Sequence, residues 1–132
     1  MNVVLVTGVD ILHVPRMAAA IERYGERLLQ RLFTWQEQRY CSGRAERLAA
    51  RFAAKEAVGK ALGVGMRTLA REGVGWHEVE VVNDDHGQPT VRLYGHAAAL
   101  AQQRGVVQWA LSLAHEREYA IAVVVGLGVR SL

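Results

Sequence analysis

The chain of 132 residues predicts an α+β domain in which a largely antiparallel sheet packs against one long central helix. Three observations lead there. Period-two apolar patterns dominate the second half, and spacings of three and four dominate the first half after an opening β-branched run. Between them lies RFAAKEAVGKALG, residues 51–63, a helical stretch with Ala and Gly on nearly every side, as on a helix enclosed by close neighbours. The predicted order is β, α, α, α, β, β, α, β, β, and residues 1–132 are expected to form a single domain with one core.

Each element has its own reason. Residues 3–7, VVLVT, form a short buried strand predicted to end at Gly8, with Asp10 just past it. Pro15 suits a first helical turn, and Met17, Ile21, Tyr24, Leu28 and Leu32 recur on one apolar face, with Gly25 a candidate break. Thr34 and Glu37 have the spacing of a capping box, in which hydroxyl and carboxylate satisfy backbone donors at a helix start. The long helix should run from about Arg44 to Leu62, stopped by Gly63, with Gly65 loosening the next turn. WHEVEVVN and PTVRLYG alternate as the two strands of a hairpin closed by DDHGQ. A helix over 96–104 and strands at 106–114 and 119–125 complete the chain.

Composition narrows the class of protein. Hydrophobic residues make up 51% and charged residues 22%, a globular balance without low-complexity tracts or repeats. The single cysteine, Cys41, rules out an intrachain disulfide and fits a reducing compartment, so the expected location is cytoplasmic. The N-terminal stretch lacks a basic n-region, and the longest apolar run, IAVVVGLGV, is too short to span a bilayer, so no membrane association is expected. A net charge of +3 favours anionic partners. Of the 16 basic residues only Lys55 and Lys60 are lysines, and both fall in the small-residue helix.

That helix carries the first candidate site. Glu56 and Lys60 are four residues apart and share a face, with Phe52 one turn before them. A surface salt bridge is the plain reading. The alanines at 49, 50, 53, 54, 57 and 61 and Gly59 weigh against it: a pair enclosed by close neighbours loses hydration that its own attraction repays poorly, so a further partner such as a metal ion or phosphate is expected. Asp10, in GVDIL, offers a second carboxylate from a separate element, although an acid there also suits a turn or helix cap. Two carboxylates beside a lysine form the usual surroundings of Mg²⁺ on a polyphosphate. The five histidines form no HxxxH or HExxH spacing, and Cys41 has no CxxC partner, so neither a zinc centre nor a thiol nucleophile is expected.

Over almost the whole length the sequence resembles the holo-acyl-carrier-protein synthases, a small-subunit class of 4′-phosphopantetheinyl transferases. The resemblance lies in GVDI followed by Arg16, in RFAAKEAVGKALGVG, in the GxP turn Gly87-Gln88-Pro89 and in SLAHEREYAIAVVV. It implies the 4′-phosphopantetheinyl transferase fold. It also implies transfer of phosphopantetheine from coenzyme A to a serine of an apo acyl carrier protein, with release of adenosine 3′,5′-bisphosphate and a requirement for Mg²⁺. By the same resemblance Asp10 and Glu56 ligate the metal and Lys60 contacts the phosphate under attack. Arg51 and His115 help hold the nucleotide and its 3′-phosphate, and Gly63, Gly65 and Pro89 border the nucleotide cleft. The family forms trimers with active sites at subunit interfaces. One departure stands out: Ala114 occupies a position where the family usually has a second serine before the histidine.

Arg16, Arg23 and Arg27 are spaced for one helical face, which reads either as solvated charge or as a docking surface. Because acyl carrier proteins are acidic and the family's first helix meets them through arginines, the resemblance favours docking led by Arg16 and Arg23, with Arg27 depending on whether Gly25 interrupts the helix. Two other classes of function are a small basic nucleic-acid-binding module and a non-catalytic homo-oligomer. The sequence lacks an RNP motif, zinc knuckle or basic tail, and no nucleic-acid partner is expected.

Overall fold

A computed structural model describes residues 2–67 and 72–130. Strand β1 (Asn2–His13) leads into helix α1 (Val14–Tyr24), with Pro15 in its first turn. Helices α2 (Glu26–Leu32), α3 (Trp35–Cys41) and α4 (Ala45–Ala61) follow. A 3₁₀ turn, Trp76–Glu78, precedes the hairpin of β2 (Val79–Asn83) and β3 (Pro89–Leu93), after which come α5 (Gly95–Gln103), β4 (Val106–Glu116) and β5 (Tyr119–Arg130).

All strand pairs are antiparallel, as predicted, but they form two sheets: β1-β5-β4 and the separate hairpin β2-β3. The capping box is present, with Thr34 Oγ1 accepting from Glu37 N and Glu37 Oε1 accepting from Thr34 N. Gly25 does interrupt the first helical segment, giving four helices before the hairpin where the pattern predicted three. The stretch read as one strand from Trp76 begins instead with the 3₁₀ turn.

The largest departure is β1. It continues to His13, so Gly8 is not its end and Asp10 lies within it. Gly8 faces α4 so closely that a Cβ there would collide with the carbonyl oxygen of Ala57. The glycine marks a close approach of two backbones, and sequence pattern alone reads it as punctuation.

The core follows from that contact. Ala49, Ala53, Ala54 and Ala57 of α4 are fully buried, and on β5 Ala120, Ala122 and Val124 alternate inward against them. Small side chains on both surfaces let the 17-residue helix lie close to the sheet while Leu48, Val58, Leu62, Met66 and Phe33 fill the flanks. The opposite face of the three-stranded sheet carries Val3, Leu5, Val9 and Ile11 on β1, paired with Val129, Leu127, Val123 and Ile121 on β5. Val3 is 69% exposed and Leu5 63%, so this face is both apolar and uncovered in the single chain.

Candidate active site

The tight seat of Gly8 on α4 determines what lies two residues further along β1. Residues i and i+2 of a strand share a face, so Asp10 also turns toward α4. There it meets Lys60: the ammonium donates to Asp10 Oδ1 at 2.9 Å and to the Val9 carbonyl at 3.1 Å. Glu56 stands one turn before Lys60. The plain i, i+4 salt bridge is not formed, because Lys60 is committed to Asp10, and among the described residues no cation lies within 4 Å of the Glu56 carboxylate.

Asp10, Arg16, Met17, Phe52, Glu56 and Lys60 line one open cleft of about 460 Å³ between β1, α1, α2 and α4. Its floor is apolar and its rim charged. Partial burial raises the Glu56 carboxyl above the usual range, the neighbouring Asp10 charge adds to this, and Lys60 opposes it. The two acids therefore feel each other across the cleft. No cluster of three or more His, Cys, Asp or Glu side chains suited to a metal occurs among the described residues. Two carboxylates are nevertheless a sufficient protein contribution for Mg²⁺, which completes its shell with water and phosphate oxygens.

Arg51 lies elsewhere on α4. It is buried against the hairpin, donating from Nη2 to Asn83 Oδ1 at 2.5 Å, with its guanidinium carbon 4.2 Å from the centre of the Tyr40 ring. Among the described residues its Nε has no hydrogen-bond partner and no carboxylate lies within 4 Å of the guanidinium. A buried guanidinium held only by neutral groups is a strong anion receptor. Asn83 is cross-strand neighbour to Pro89 and donates to the Gly87 carbonyl, so Arg51 and the GxP turn form one corner. Gly63 and Gly65 take positive φ values of 81° and 68° in the turn that stops α4, a conformation costly for other residues. His115 is exposed on β4, opposite Ala120, and Ala114 projects with Ile121 on the uncovered sheet face. Within one chain, Arg51, Gly63, Gly65, Pro89 and His115 do not line the Asp10 cleft.

The basic face divides in two. Arg16 lines the Asp10 cleft, whereas Arg23, Tyr24, Arg27 and Arg31 surround a second cavity of about 780 Å³. Leu28 borders both. The break at Gly25 thus does not remove Arg27 from the patch, and it brings in Arg31, which the helical spacing of α1 missed.

Lys55 was conspicuous in the sequence, and its neighbours were not. It points away from Glu56 into the core, where it pairs with Glu37 at 2.7 Å, both groups fully buried. Burial lowers the Lys55 amine from the usual lysine range, and Glu37 opposes that shift. The available signal was the capping box, which places a carboxylate in a helix that must pack on α4.

The family model described as the 4′-phosphopantetheinyl transferase superfamily matches residues 7–124, and the chain belongs to that family. Among its relatives, a holo-[acyl-carrier-protein] synthase of Herpetosiphon aurantiacus is 45% identical over 126 residues, covering 94% of this chain and 99% of the relative. One of Koribacter versatilis is 48% identical over 125 residues, covering 92% and 97%. In three dimensions, the Helicobacter pylori holo-[acyl-carrier-protein] synthase in complex with coenzyme A is similar with a TM-score of 0.81 at 26% identity, covering 91% of this chain and 98% of that one. The Mycobacterium tuberculosis acyl carrier protein synthase gives 0.71 at 35% identity, with 97% and 100% covered.

Proposed function

We propose that this chain is a holo-acyl-carrier-protein synthase that moves 4′-phosphopantetheine from coenzyme A to a serine of apo acyl carrier protein, releasing adenosine 3′,5′-bisphosphate. The observation that carries this reading is the single cleft shared by Asp10, Glu56, Lys60 and Arg16, with Lys60 joined to Asp10 at 2.9 Å. The serine oxygen forms a bond to the phosphorus that bears pantetheine, and the bond from that phosphorus to the bridging oxygen breaks. The adenosine bisphosphate leaves with the electron pair. Phosphoryl transfer depends mainly on positioning and charge stabilisation, so no nucleophilic side chain of this protein is required.

Lys60 places an ammonium at the diphosphate, where negative charge accumulates on the non-bridging oxygens. The serine proton passes to a carboxylate of the cleft. Either carboxylate, Glu56 or Asp10, can accept it through a water of the cleft. Asp10 and Glu56 fit Mg²⁺, since burial and the Asp10 charge raise the Glu56 carboxyl and, among the described residues, no cation lies within 4 Å of it. When bound, the metal supplies charge neutralisation on the diphosphate. Arg51 and His115 are proposed to receive the nucleotide and its 3′-phosphate, bordered by Gly63, Gly65 and Pro89; the unpartnered Nε of Arg51 supports its part in this.

Arg16 and Arg23, together with Arg27, are proposed to dock the acidic carrier. The apolar outer sheet face supports self-association, proposed to be the homotrimer that the family resemblance implies, because a contiguous patch of this kind is rarely left in water. In that assembly the subunit interface would bring His115, on edge strand β4, toward a neighbour's cleft. No helix among the described residues is long and apolar enough to cross a membrane, and the free, buried Cys41 supports a reducing, cytoplasmic setting.

The test incubates the protein with coenzyme A, Mg²⁺ and an apo carrier and follows the carrier by mass spectrometry. A gain of one phosphopantetheinyl group is expected. An unmodified carrier, tested across fatty-acid and polyketide types, would remove the assignment.

A further inference from the structure

Helix α4 presents different faces to two jobs. One face holds Glu56 and Lys60 to the cleft. The other face sends two cations into the protein: Arg51 to Asn83 on the hairpin, and Lys55 to a buried cluster one turn later. The Lys55 ammonium has three N–H donors and meets three acceptors: Glu37 Oε1 at 2.7 Å, the Trp76 carbonyl at 2.8 Å and the Val79 carbonyl at 2.5 Å. Glu37 in turn accepts from Thr34 N at 2.9 Å and, through Oε2, from Val81 N at 2.8 Å. One amine thereby fixes α4 to α3, to the 3₁₀ turn and to the first residues of β2.

Such a cluster has no need to be ionic for stability alone, because a packed apolar pair of similar volume holds a core about as well. What an ionic cluster adds is register. Methyl groups tolerate sliding, and three directed hydrogen bonds do not. Two links carry that register to the chemistry. Trp76, whose carbonyl Lys55 holds, stacks on Phe52 with ring centres 4.8 Å apart, and Phe52 lines the cleft beside Glu56. On the hairpin side, β2 runs from Val79 to Asn83, the partner of Arg51 and cross-strand neighbour of Pro89.

We propose that Lys55, through its buried contacts with Glu37, Trp76 and Val79, is a positioning residue that sets the distance between the Glu56–Lys60 end of the site and the hairpin that borders the nucleotide. The inference rests on the transferase reading for what the hairpin binds. It predicts a selective defect: nucleotide binding falls while carrier docking on α1, none of whose described residues hydrogen-bonds to Lys55 or Glu37, is unchanged.

The test replaces the pair together, Lys55→Met with Glu37→Leu, so that no lone charge remains buried. Adenosine 3′,5′-bisphosphate binding is measured by calorimetry, carrier KM by turnover, and folding by circular dichroism. A folded variant whose nucleotide Kd rises about tenfold with an unchanged carrier KM is expected from loss of register. A folded variant with wild-type nucleotide Kd, or with both constants raised equally, overturns the proposal. Should the double variant fail to fold, the neutral polar pair Lys55→Gln with Glu37→Gln decides instead. It keeps one acceptor oxygen at residue 37 and leaves no lone charge buried, and the same selective rise, smaller in extent, is expected; no rise overturns the proposal. Wild-type protein that binds the nucleotide and yet modifies no carrier sinks the transferase reading, while the binding comparison still judges Lys55.

Discussion

Replacing Gly8 with alanine should separate the two halves of the site without touching either. The added Cβ would collide with the Ala57 carbonyl oxygen and crowd Ala61 N at 3.2 Å, and neither backbone atom can swing aside. The Cβ would lie 1.9 Å from that oxygen, so restoring an ordinary contact requires β1 and α4 to part by roughly 1.5 Å. Overpacking of a core usually costs ~1–3 kcal/mol, and a rigid backbone contact belongs at the upper end. At roughly 4 °C per kcal/mol for a domain of this size, Tm falls by about 10 °C. The same displacement carries Asp10 away from Glu56 and Lys60. Misplacement on the order of 1 Å lowers turnover about 100-fold. The assay compares Gly8→Ala with wild type well below both melting temperatures, following carrier mass and nucleotide binding. A folded variant with wild-type turnover would refute the idea that this close approach assembles the site.

Glu56→Gln and Lys60→Ala should each reduce kcat/KM by about 100-fold or more, as loss of a charge-stabilising group does. Both should melt near the wild-type temperature, since the Lys60–Asp10 pair is partly solvated and contributes little to stability; wild-type rates would displace them from the site. Arg16→Glu should raise carrier KM about tenfold or more and leave coenzyme A binding as it was, because it reverses a charge at the rim facing an acidic partner. An unchanged carrier KM removes Arg16 from the docking surface. Burial pushes the Cys41 thiol up to about 11, so at pH 8 it is protonated as well as enclosed. A thiol-specific disulfide reagent should react only after denaturation, and rapid reaction in the native protein would contradict the packing around α3.

The pattern of small residues on α4 was legible because a helix with alanine on several sides has few places to go except between close neighbours, and the structure puts Ala49, Ala53, Ala54 and Ala57 there. Thr34 and Glu37 were legible because capping is local. The length of β1 was not. Gly8 reads as a strand end in one dimension, and only the path of α4 shows that it is a contact. The same limit hid the direction of Lys55. Its neighbour Glu56 lies about 100° round the helix, so the two adjacent charges serve different faces, and which face meets the cleft depends on the sheet. Asp10, Glu56 and Lys60 stood out by residue type and spacing, and the three line one cleft, with Lys60 paired to Asp10. Arg51, Pro89 and His115 were carried by family resemblance, and within one chain they do not line the Asp10 cleft.

The most direct measurement is a titration of Mn²⁺, standing in for Mg²⁺, followed by electron paramagnetic resonance in the presence of coenzyme A. The cleft is expected to take one ion per active site in the wild-type protein, and Asp10→Asn and Glu56→Gln should each lower that affinity at least tenfold while the protein stays folded. Unchanged stoichiometry and affinity in both variants would mean that these two carboxylates do not hold a shared cation.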